Sequence, residues 1–221
     1  MRFHLLIFVF LVLISQANAK DIYCGPLSIT QNEDGGGPWD YNDPANQKPN
    51  AAAVQGYLKL VEEAHFTKDV ERLIRGKTGA KPFGDIAYTL YRFPNHPRAL
   101  WAMSRLQRRN GGKLPAKPGD SIARQHVECY FKKAILFRPH DPVVHMLYGM
   151  HLQLSGELHR AKKEYKTSER YDPNSAELLY NMGLLYLELK NYNKARIYAK
   201  KAYKLGYPLK GLKQKLNSLK H

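Results

Sequence analysis

The sequence predicts an all-helical protein built as a row of stacked hairpins, and three observations point there. Pro139, Pro173 and Pro208 are separated by 34 and 35 residues, while Gly149 and Gly183, and Ala161 and Ala195, are each 34 apart. A small residue follows each closing proline at a fixed distance: Gly149 and Gly183 lie ten residues after theirs, and Ser104 lies ten after Pro94. The 221 residues are 43% hydrophobic and 11% aromatic with two cysteines, which excludes a disordered chain and a small disulfide scaffold. A period of this length is that of a repeated two-helix unit, whose apolar face is buried only by stacking on its neighbours.

The elements follow in order. Residues 1–19 carry Arg2, an apolar run of about ten residues and Ala17-Asn18-Ala19, the pattern of a cleaved secretory leader rather than a membrane span. Residues 20–50, with Gly35-Gly36-Gly37-Pro38 and Pro26, Pro44 and Pro49, read as an extended, loop-rich segment. Residues 51–96 hold N-terminal helices: 51–63, with Val54, Tyr57, Leu58 and Val61 on one face, a short one at 70–75 closed by Gly76, and 84–93 as a lone closing helix. Residues 97–139 read as an imperfect repeat, with Pro97 opening its first helix and a second helix over 121–138. Between them Asn110-Gly111-Gly112 and Pro115-Ala116-Lys117-Pro118 mark an inserted, exposed loop. Two regular repeats follow at 140–173 and 174–208, then a Lys-rich capping helix within 209–221.

The repeat at 142–173, with Gly149, Ala161, Tyr165 and Pro173, resembles the tetratricopeptide repeat family. So does 174–208, with Gly183, Tyr186, Ala195, Ala202 and Pro208. The runs Ala64-His65-Phe66-Thr67-Lys68-Asp69-Val70-Glu71 and Phe93-Pro94-Asn95-His96-Pro97 are similar to the N-terminal region of exported bacterial members. The resemblance implies a right-handed α-α superhelix of about three hairpins whose first helices line a concave groove. Carried onto this chain, the groove positions are Arg98, Trp101, Arg105, Arg108 and Arg109, then Val143, Met146, Met150, Gln153 and Leu154, then Glu177, Tyr180, Leu184, Leu187 and Glu188. Guanidiniums at one end and Met and Leu beyond would suit a peptide with an acidic group and an apolar anchor. The competing expectation is that the chain's own N-terminal segment or end helix fills part of that groove.

Charge is uneven. Residues 20–97 carry nine basic and ten acidic side chains, and residues 98–221 carry 25 and nine. An exported chain without zinc-finger, RNP-type or KH-type motifs points away from nucleic acid and toward proteins, anionic glycans or lipid headgroups. Lys200, Lys201, Lys204, Lys213 and Lys215 would carry the headgroup reading. No nucleophile elbow, SxxK, Cys/His pair or phosphate loop is present, so no enzyme and no cofactor is expected. A metal or hydrolytic centre at His65, Asp85 and His96 is a weaker alternative, since imidazole and carboxylate suit zinc. Cys24 and Cys129, alone in a chain bound for an oxidising compartment, are expected to pair; the alternative is two free thiols. The expectation is therefore an exported, non-catalytic scaffold, periplasmic in a Gram-negative cell, that binds a segment of an envelope, secretion or pilus-type assembly protein.

Overall fold

The computed structural model describes residues 22–30, 36–50 and 52–219. The expected leader, 1–19, lies outside the described residues. These form twelve helices and no strand: α1 (Pro44–Gln47), α2 (Tyr57–His65), α3 (Lys68–Glu71), α4 (Phe83–Arg92), α5 (Pro97–Arg109), α6 (Ile122–Gln125), α7 (Val127–Phe137), α8 (Pro142–Leu154), α9 (Leu158–Tyr171), α10 (Ala176–Glu188), α11 (Tyr192–Lys204) and α12 (Gly211–Ser218).

The repeats close on themselves as hairpins α8/α9 and α10/α11, each packed on the next, with α12 against α10 and α11. Their helices start where a side chain can take the first unbonded N–H groups. Asp141 accepts from Val143 and Val144, Ser175 from Leu178 and Asn191 from Lys194. Each such cap stabilises a helix by about 1 kcal/mol. Between α8 and α9 the chain reverses at Gly156, with φ +81°. One period later Lys190 takes the same left-handed turn with φ 57°, a conformation that disfavours a side chain.

The small residues mark where the two helices of a hairpin touch. A methyl group on Gly149 would lie 2.6 Å from Cδ1 of the buried Tyr165 ring. In the next repeat Ala199 occupies the position of Tyr165, and the space is taken from outside: Leu212 of α12 would stand 2.4 Å from a methyl on Gly183. The cap thus replaces a missing aromatic ring. One apolar cluster runs from Phe66 through Phe131 and Tyr165 to Leu216.

The imperfect repeat is broken where a single second helix was expected. His126 is extended (φ −126°, ψ 128°) and divides α6 from α7. Gln107 of α5 compensates by accepting a hydrogen bond from Val127 N at 3.0 Å, so α7 starts capped from a neighbouring helix. Across the array, buried Glu128 of α7 accepts from Tyr148 of α8 at 2.7 Å and pairs with Arg160 of α9.

Upstream, α4 is not alone. It packs on α2 and on α5, and α3 packs on both α4 and α5, so the N-terminal helices form a further layer of the array. Residues 36–50 lie along the turns that link successive layers. Trp39 stacks on Tyr57 with centroids 4.1 Å apart and donates its backbone N–H to Arg92 O. Buried Asn95 donates to Asp40 at 2.7 Å and Asp141 at 3.1 Å, and accepts from Tyr41 N. Cys24 is bonded to Cys129, fixing the preceding stretch against α7.

Candidate functional site

The expected groove lies on α5, α8 and α10, and the structure treats its two ends and its middle differently. At the N-terminal end the guanidiniums are already bound. Arg98 pairs with Glu62 of α2 and, at 3.2 Å, with Glu71 of α3. Partial burial works against its charge, yet the Glu62 bond and the two carboxylates hold its pKa above the ordinary arginine value. Arg105 donates to the Glu71 carbonyl, and Arg109 to the Leu73 carbonyl at 2.8 Å. Arg108 is exposed, and Trp101 is half-buried against the core.

Three of the four guanidiniums at this end are thus already engaged within the chain, and Arg108 remains exposed. The segment that carries α3 engages Arg98, Arg105 and Arg109, although Arg105 Nε stays buried without a hydrogen-bond partner, and a ligand carboxylate would compete with acceptors tethered in the same chain. The C-terminal end is closed as well. Tyr180 is buried, packs tilted against Tyr207 with centroids 4.4 Å apart, and accepts a hydrogen bond from Leu212 N. It is a packing residue under α12, not an exposed contact.

The middle stays open. Met146 is buried, but Met150, Leu184 and Leu187 are half-buried at the surface of the core, and Leu154 is 50% exposed. Gln153 donates to Glu188 at 2.7 Å and accepts from Tyr165 at 2.9 Å, which ties α8 to α10 beneath this strip.

The alternative metal centre does not assemble. His65 Nδ1 and Asp85 are 3.1 Å apart, but His96 is turned to Glu62 at 3.0 Å and caps α5 through Ala99 N. Among the described residues no three His, Cys, Asp or Glu side chains are grouped to hold a metal ion. Asp85 instead collects Lys77 N, Thr78 N and the Thr78 hydroxyl, pinning the loop before α4. Its burial opposes ionisation, but these bonds and His65 keep its pKa below the usual carboxylate value. The lysines of the headgroup reading, Lys200, Lys201 and Lys204 on α11 and Lys213 and Lys215 on α12, are all exposed. No helix among the described residues is long and apolar enough to cross a membrane.

A second concavity, of about 470 Å³, opens between α4 and α7 and is lined in part by Tyr130, Lys133 and Arg124. Reading for repeats passed over it. The only signal was an aromatic and a cation three residues apart on one helix, Tyr130 and Lys133, where apolar packing alone would serve.

Stacked antiparallel hairpins with a glycine contact repeated every 34 residues define a helical-repeat solenoid. Within it, residues 165–197 match the sequence profile of the tetratricopeptide repeat family. Among solved structures it is similar to PilF of Pseudomonas aeruginosa, with a TM-score of 0.51 and 16% identity. The match covers 74% of this chain and 65% of that one, and it is a likeness of fold. No curated protein matches the sequence.

Proposed function

We propose that this chain is a non-catalytic adaptor, exported to the cell envelope, that binds an apolar peptide segment of an envelope, secretion or pilus-type assembly protein. The observation that carries this reading is the strip of Met150, Leu154, Leu184 and Leu187, left uncovered between two stretches closed by the chain itself. The repeat match and the solenoid fold support a scaffold, and the Cys24–Cys129 disulfide is in keeping with export. Flexible Met and Leu side chains on adjacent helices suit the apolar face of a helical or extended peptide. Arg108 and Glu188 at its edges favour a partner of mixed charge over the acidic one expected from the sequence.

A photo-crosslinking residue placed at Leu154 or Leu187, against a control at Ile197 of α11, tests the reading in cells. Partner adducts from 154 and 187 and none from 197 are expected. Adducts from 197 alone, or equally from all three, would overturn the assignment. A second reading rests on the five exposed lysines of α11 and α12 as a surface for anionic glycan or lipid. That mode would vanish as ionic strength rises, whereas an apolar anchor would lose little.

A further inference from the structure

The cavity between α4 and α7 lies away from the open strip, and its lining is costly for a protein that needs only to pack. Tyr88 and Tyr91 come from α4, Tyr130 and Lys133 from α7, and Arg124 from α6. Leu27 closes one wall, held there by the disulfide three residues before it. Its volume of about 470 Å³ falls in the range of small-molecule sites.

One polar group in this lining lacks the partner that burial requires, and a half-buried cation lies beside it. The Tyr130 hydroxyl is shielded from solvent and makes no hydrogen bond, and burial pushes its pKa up to about 12. Lys133 is half-buried, with Nζ 5.6 Å from the Tyr91 ring centroid and no carboxylate paired with it among the described residues. Burial alone moves its pKa, downward. A partly desolvated cation and an unpaired phenol both oppose folding, and phenylalanine or methionine would fill the same volume with less of that cost. Such groups are retained where an incoming ligand completes them.

The chemistry of that ligand follows from the donors. Lys133 and the Tyr130 hydroxyl can both donate hydrogen bonds, Arg124, paired with Asp120 at 3.7 Å, adds a second cation, and Tyr88, Tyr91 and Tyr130 line the walls. We propose that this cavity binds a small aromatic carboxylate, its ring against Tyr88, Tyr91 and Tyr130 and its carboxylate on Lys133 and the Tyr130 hydroxyl. The bound anion neutralises Lys133 and gives the phenol its missing acceptor. Because Leu27 forms one wall, the site is complete only in the oxidised chain.

Titration calorimetry on the full oxidised chain tests this, with 2-naphthoate as probe and uncharged 2-naphthylmethanol as its control. Saturable naphthoate binding is expected, with the alcohol at least about tenfold weaker. Lys133→Met should weaken naphthoate at least about tenfold and leave the alcohol unchanged, while Lys133→Arg retains binding. Lys133→Met should also melt at or above the parent temperature, since it removes a desolvated charge. Absence of naphthoate binding up to about 1 mM, equal binding of the alcohol, or a Lys133→Met chain that binds normally or melts well below the parent would each overturn the proposal.

Discussion

Replacing Gly149 by alanine places a methyl carbon 2.6 Å from Cδ1 and 2.7 Å from Cε1 of Tyr165. Ordinary contacts between such atoms lie near 3.5–4 Å, so the ring or the helix must move by about 1 Å. The ring has little freedom to do so, being 1% exposed and held by its hydroxyl to Gln153 at 2.9 Å. Overpacking of this kind costs about 1–3 kcal/mol, against about 1 kcal/mol gained from exchanging glycine for alanine inside a helix. The expected net loss is about 0–2 kcal/mol. In a Tyr165→Ala background the obstacle is gone, and the same substitution should stabilise by about 1 kcal/mol. The difference between backgrounds gives a coupling of about 1–3 kcal/mol, readable from urea midpoints of the four chains at constant slope. Equal effects of Gly149→Ala in both backgrounds would refute the reasoning.

Removing the disulfide as Cys24→Ser with Cys129→Ser opens a loop spanning 105 residues and should cost roughly 4–5 kcal/mol through the entropy of the unfolded chain; a loss below about 1 kcal/mol in denaturant titration would contradict it. Burial of the His151 ring, aided by the Arg160 and Arg108 charges, lowers its pKa to about 4 from an unfolded value near 6.5. The unfolded chain then binds the extra proton between those values, so this contribution is full above pH 6.5 and lost as pH falls toward 4, by up to about 3 kcal/mol. His145 works oppositely: burial disfavours its charge, but the Glu164 bond overrides this and raises the pKa, so its contribution fades as pH rises past 6.5. A His151→Asn chain should show a shallower fall in melting temperature from pH 6.5 to 4, and an unchanged slope would count against the assignment.

Much of the fold was legible because a repeat writes itself twice. Gly149 and Gly183 share a spacing because each sits where two helices touch, and a local requirement at each crossing leaves a periodic mark. The structure adds caps by Asp141, Ser175 and His96 on the helices that follow them, a choice settled within three residues of sequence. Cys24 and Cys129 stand alone in a chain read as exported, which favours pairing over the alternative of two free thiols, and they are bonded.

What the sequence by itself determined was the hairpin period and the positions of close helix contact, since both rest on interactions short in sequence or repeated along it. Tertiary structure alone decided which groove positions are open. Glu62 meets Arg98 across 36 residues and Leu212 meets Tyr180 across 32, and neither contact recurs with the repeat. A carboxylate that neutralises a distant guanidinium looks in sequence like any solvated charge. The same holds for the cavity beside Cys129, whose walls come from α4, α6, α7 and a stretch held by the disulfide. Only packing brings them together, because burial is a property of the surroundings and not of the residue.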